Sequence, residues 1–156
     1  MKLFLVQHGD AVSKDIDPQR PLSERGQRDV EKIAVLLGQA GICAERVLHS
    51  GKPRAQQTAL VLAKAVIVGG DCEPITGMAP NDPVDTFAKN LATWTEDTFL
   101  VGHLPFMSRL VSLLVVADQE REIVAYQPGS VVCLEQTQSG RWAVSWMVRP
   151  DLLAER

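Results

Sequence analysis

Apolar and polar residues alternate along the chain in blocks whose lengths and spacings predict a β-α-β-α-(α)-β-α-β-β succession. Leu3 to Val6 form an unbroken apolar run with no polar position, the pattern of a short strand buried on both faces. Val30, Ile33, Ala34 and Leu37 follow at helical spacing, with Arg28, Asp29, Glu31 and Lys32 read as the wet face, Ser23 as N-cap and Gly41 as the stop. Arg46 to Leu48 predict a second short strand. A second helix runs from Pro53 to Val66, with Pro53 in its first turn and Ala59, Leu62, Ala63 and Val66 inward. Glu73 to Pro83 is rich in Pro, Gly and Asn and reads as irregular, before a short helix from Val84 to Ala92. Thr98 to Gly102 is the third apolar strand, and Pro105 opens a strongly apolar helix reaching Ala117. Val131 to Glu135 and Trp142 to Val148 complete the set as two strands about Gln138-Ser139-Gly140, with Trp142 and Trp146 spaced for one sheet face. Strands alternating with helices imply an α/β fold: a three-layer α/β/α sandwich on a mostly parallel sheet with an antiparallel edge.

Composition narrows the function classes. Residues 1–156 fit one domain, and a net charge of −3 supplies no basic field for nucleic acid or anionic lipid. No apolar stretch approaches the ~18 residues of a membrane span, and Met1-Lys2-Leu3 enters the first strand directly, so no signal peptide is expected. Three cysteines, Cys43, Cys72 and Cys133, stand far apart with no paired spacing. They read as reduced, buried thiols of a cytoplasmic protein rather than as a disulfide framework or a metal site.

The chemistry collects where the parallel strands end. The first strand runs out into Gln7-His8-Gly9, the second into Ser50-Gly51-Lys52-Pro53-Arg54, and the third into Gly102-His103. In a parallel sheet these carboxyl ends share one edge, which is where open α/β sheets bind ligands. Two of the three lie at helix starts, where free N–H groups favour an anion. Two histidines, an arginine and two helix N-termini around one crevice predict an oxyanion site, with phosphate as its natural occupant. His49 is read as a half-buried strand residue, and Asp10, Asp15 and Asp17 as solvated loop positions.

These three elements together resemble the signature of the histidine phosphatase superfamily, the phosphoglycerate-mutase-like proteins. Gln7-His8-Gly9 resembles its Arg-His-Gly element, Ser50 through Thr58 its Ser-x-x-x-Arg-Ala-x-x-Thr element, and Gly102-His103 its late histidine. Arg20-Pro21-Leu22-Ser23-Glu24-Arg25-Gly26 looks like the Arg-Pro-Leu-Thr-x-x-Gly turn of the short SixA-type phosphohistidine phosphatases. The resemblance implies that His8 is a nucleophile forming a phosphohistidine intermediate, with Arg54 gripping the phosphoryl oxygens and His103 donating to them. Gln7, Gly9, Arg20 and Ser50 would complete the phosphate site, Asp82 is the one weak candidate for a general acid, and neither cofactor nor metal is implied. The substrate implied is a phosphohistidine-bearing protein, such as a histidine-phosphotransfer domain. A small-molecule phosphomonoester phosphatase is the alternative. A non-catalytic phospho-ligand binder is another, because Gln7 stands where the family has arginine. Losing a charge-assisted donor to a buried oxyanion costs about 2–4 kcal/mol, about 10²- to 10³-fold in rate. Lys14 and Lys52 are the cations close enough in sequence to compensate.

Overall fold

The computed structural model describes residues 1–155. Strands β1 (Lys2–Gln7), β2 (Arg46–His49), β3 (Glu73–Pro74), β4 (Thr98–Gly102), β5 (Val131–Gln136) and β6 (Trp142–Val148) form one sheet in the order β3-β2-β4-β1-β5-β6. The pairs β1–β4, β2–β4 and β2–β3 are parallel, while β1–β5 and β5–β6 are antiparallel. The parallel half therefore carries the three strand ends of interest, and the hairpin forms the antiparallel edge. Helices α1 (Glu24–Gln39), α2 (Pro53–Val66), α3 (Val84–Leu91) and α4 (Phe106–Val116) cover the two faces.

Strict alternation along β1 feeds both cores. Phe4 and Val6 face α1 and α2, and Leu3 and Leu5 face α3 and α4; all four are at most 1% exposed. Phe4 stacks on Phe99 of the adjoining strand with ring centroids 4.3 Å apart. Ser23 caps α1 as expected, its hydroxyl accepting the Gly26 N–H at 3.0 Å. The helix ends in a Schellman arrangement: Gly41 takes φ +72°, and Ile42 N–H donates to the Leu37 carbonyl at 3.0 Å.

Several expectations are corrected. Glu73 and Pro74 form a two-residue strand inside the segment read as irregular; Pro74 is tolerated because β3 is the sheet edge. Asp29 is not on the wet face of α1 but buried, held by Lys32 at 3.4 Å and Arg25 at 3.6 Å. Trp142 and Trp146 do not share a sheet face. The pairing slips between Cys133 and Leu134, so Ser145 is an extra residue, and the tryptophans are delivered to opposite cores. Helix α4 stops at Val116 because Ala117 adopts left-handed φ +58°. His49 is 3% exposed rather than half-buried, and its Nδ1 accepts the Gly51 N–H at 3.1 Å. Of the three cysteines, only Cys133 is buried, while Cys43 is exposed; all three are free thiols. No helix of the described residues is long and apolar enough to cross a membrane.

Candidate active site

Backbone pairing brings the histidines together. Gln7 stands opposite Gly102 in the β1–β4 register, and His8 N–H extends that ladder to the Gly102 carbonyl at 3.0 Å. The next residue on each strand is a histidine, and the rings of His8 and His103 face each other with centroids 5.0 Å apart. Ser50 leaves β2 beside β4, its N–H on the Val101 carbonyl at 3.2 Å. Its hydroxyl lies 2.6 Å from His103 Nε2. Residues ninety-five positions apart, His8 and His103, thus meet at one sheet edge through register alone.

His8 is held in one tautomer. Its Nδ1–H donates to the Gly9 carbonyl at 2.7 Å, which leaves Nε2 unprotonated, its lone pair accepting a long hydrogen bond from Arg54 Nε–H at 3.3 Å. Burial, with help from the Arg54 and Arg20 charges, pushes the His8 pKa down to about 4, so the ring is neutral at physiological pH. His103 is lowered to about 3 by burial and then by His8, Arg54, Lys52 and Arg20. A neutral imidazole with its one N–H fixed and its other nitrogen unprotonated has the protonation state that nucleophilic chemistry requires.

The cations are poised for an anion. Arg54 is biased against its charged form by burial and by the like charge of Arg20, a repulsion that an oxyanion between them would relieve. Arg20 reaches this position through left-handed backbone at φ +47°, with its Nε–H on the Val12 carbonyl at 3.1 Å. A non-glycine residue there costs about 1 kcal/mol or more, a strain concentrated at functional sites. Gln7 is 8% exposed, and its Oε1, like His103 Nδ1, is buried without a hydrogen-bond partner.

Other residues frame the site. Gly9 is needed for close approach: a Cβ there would lie 2.7 Å from Val30 Cγ2 and 3.1 Å from the Gly26 carbonyl oxygen of α1. Its N–H is donated to Thr58 Oγ1 at 3.0 Å and is therefore engaged within the protein. Thr58, fully buried, also donates its hydroxyl to the Arg54 carbonyl at 2.8 Å, tying the His8-Gly9 loop to the first turn of α2. Asp10 is not simply solvated; its Oδ2 accepts the Ser23 hydroxyl at 2.6 Å. The Asp82 carboxylate accepts the Ala79 N–H at 2.8 Å, within its own turn. Lys52 bears on His103 electrostatically, whereas Lys14 makes no ion pair or side-chain hydrogen bond with the described residues. A wall that sequence reasoning missed is the segment before β5. Gly129 N–H bridges the Gln7 and His8 carbonyls at 3.0 and 3.1 Å, and half-buried Tyr126 donates to the Leu5 carbonyl at 2.9 Å. The Pro128-Gly129 turn signal was the one local mark of it.

No family model matches the chain. Among solved structures, the alpha-ribazole phosphatase from Shigella flexneri superposes with a TM-score of 0.77 at 16% identity, covering 100% of both chains. With the three strand-end motifs in place, the chain has the phosphoglycerate-mutase-like fold of these phosphatases. It is also similar to SixA. The structure of the protein histidine phosphatase SixA complexed with tungstate gives a TM-score of 0.86 at 24% identity, covering 99% of this chain and 100% of that one. Phosphohistidine phosphatase SixA of Escherichia coli K12 is 24% identical over 155 residues, 96% of this chain and 94% of that protein. An uncharacterised protein of Picosynechococcus sp. is 33% identical over 112 residues, 67% of each chain.

Proposed function

We propose that this protein is a protein-phosphohistidine phosphatase working through a phosphoryl group carried on His8. The observation that carries the reading is the His8 tautomer: Nδ1–H fixed on the Gly9 carbonyl at 2.7 Å and Nε2 unprotonated, accepting only the long bond from Arg54 at 3.3 Å, which an incoming phosphoryl oxygen would take over. His8 Nε2 attacks phosphorus in line while Arg54 and Arg20 hold the equatorial oxygens. Gln7 offers its amide NH2, and Ser50 with His103 supplies neutral donors as charge spreads over those oxygens. Water then displaces phosphate, and His8 leaves as a neutral imidazole because its Nδ1 proton never departs. That SixA, which this chain resembles in fold, forms a complex with tungstate, a tetrahedral oxyanion, supports an oxyanion ligand for this fold.

The arrangement favours phosphohistidine over a phosphomonoester. An alkoxide leaving group needs a proton delivered as it departs, but Asp10 and Asp82 are engaged with Ser23 and Ala79. A phosphoimidazole protonated on its far nitrogen leaves neutral without such help. Exposed Leu104, 37% accessible beside His103, gives the rim an apolar surface for the residues around a histidine on a partner protein. Cys43 and Cys72, unpaired and not buried, fit a cytoplasmic setting.

The test is loss of phosphate from a phosphorylated histidine-phosphotransfer domain. We expect turnover with the wild-type protein, none with His8→Ala, and at least a tenfold preference over sugar phosphates and nucleotides, about 1.4 kcal/mol or more in barrier. Equal activity of wild type and His8→Ala would overturn the assignment. An inert wild type that gains activity with Gln7→Arg would instead favour the binder.

A further inference from the structure

We infer that the phosphorylated protein passes its phosphoryl group from His8 to a second imidazole faster than to water, so that it is a reversible histidine-to-histidine phosphotransferase. The inference rests on the reading of His8 as a phosphoryl acceptor.

Three features carry it. First, the exchange needs no proton movement on the enzyme. A donor phosphoimidazole protonated on its far ring nitrogen loses its P–N bond as the His8 Nε2–P bond forms. The donor leaves as neutral imidazole, and phospho-His8 keeps its Nδ1 proton on the Gly9 carbonyl at 2.7 Å. The product side is the same chemical pair as the substrate side, so any site that lets an imidazole leave this way lets one enter by the same path.

Second, among the described residues no carboxylate hydrogen-bonds His8 or His103, and the nearest polar groups are turned to partners of their own. The Asp10 carboxylate accepts from Ser23 at 2.6 Å, the Asp82 carboxylate from Ala79 at 2.8 Å, and Tyr126 is spent on the Leu5 carbonyl. His103 Nε2 is held by Ser50 at 2.6 Å, and the surrounding cations and burial disfavour its protonated form. Water must therefore pass its proton to a phosphoryl oxygen as it adds, ending as dihydrogen phosphate and neutral His8. A neutral imidazole attacks through a lone pair and has no proton to lose at the reacting nitrogen. The site thus discriminates by whether the nucleophile must shed a proton. Third, Gln7 is neutral, so the cradle carries less positive charge than an arginine there would give and both exits from phospho-His8 slow, while only the water exit also lacks a base. Phospho-His8 then persists long enough to meet an acceptor.

The experiment supplies N-phosphoimidazole as donor and N-acetylhistidine as acceptor, followed by phosphorus NMR, with His8→Ala setting the uncatalysed background. We expect phosphorylated N-acetylhistidine to appear above background and to exceed inorganic phosphate about tenfold at saturating acceptor. Dilution of phosphoryl-labelled product into imidazole should return the label to phosphoimidazole. Consumption of donor entirely to inorganic phosphate, unchanged by acceptor, overturns the transferase and leaves the phosphatase standing. No consumption above the His8→Ala background overturns both.

Discussion

Two neutral histidines, buried His103 and half-buried His8, make this fold sensitive to acid in a window that the structure sets. The His8 pKa is lowered from 6.5 to about 4 and that of His103 from 6.5 to about 3, both chiefly by burial. A folded-state pKa below the unfolded one means that the unfolded chain binds more protons between the two values. The stability these histidines allow is complete above about pH 6.5 and falls as pH drops toward about 4 and 3. At pH 5 both remain neutral in the folded protein and charged in the unfolded chain. Near-fully buried His103 then costs about 2 kcal/mol, and partly exposed His8 about half of that, close to 3 kcal/mol together. Against a typical ~5–15 kcal/mol of folding stability that is a large share. The assay is urea unfolding at pH 7 and pH 5 in phosphate-free buffer, comparing wild type with the double variant His8→Asn and His103→Gln. The wild type should lose about 3 kcal/mol more than the variant between the two pH values. An equal loss would mean that the two rings are solvated, and the neutral nucleophile would go with that result.

Three substitutions probe the rest of the site. Gln7→Arg should raise phosphohistidine turnover by about 10²-fold, measured as kcat on a phosphorylated histidine-phosphotransfer domain; no gain would show that Arg54 and Arg20 already saturate the phosphoryl group. Gly26→Ala places a Cβ 2.0 Å from the Asp10 carbonyl oxygen, so α1 must back away from the nucleophile loop. A destabilisation of about 3 kcal/mol by thermal or urea melting is expected. Thr58→Val keeps the shape but strands the Gly9 N–H and the Arg54 carbonyl link, and should cost about 1–3 kcal/mol in stability with a fall in kcat larger than any change in KM.

Most of the parallel half was legible because its signals are local. Leu3–Val6 and Thr98–Gly102 are continuous apolar runs, Ser23 and Gly41 mark α1, and each strand ends in its polar residues at once. The site's convergence followed from one rule, that parallel strands share an edge, and His8, Ser50 and His103 meet there. What stayed hidden depends on long-range geometry. A β-bulge at Ser145 changes which way Trp142 and Trp146 point, and period counting cannot see an inserted residue. Thr58 and Gly129 act through hydrogen bonds to backbone forty-nine and more than one hundred positions away, respectively. Asp29 is charged yet buried because Arg25 and Lys32 close over it, a tertiary choice that polarity alone misreads.

The central claim is a phosphoryl group on one particular nitrogen. Brief incubation with phosphoimidazole, followed by alkaline quench and mass spectrometry of the peptides, should place an acid-labile phosphoryl adduct on His8. The adduct should be absent from His8→Ala and diminished in Arg54→Ala. A phosphoryl group on His103, Ser50 or His49, or none on His8 while donor is consumed, would contradict the account.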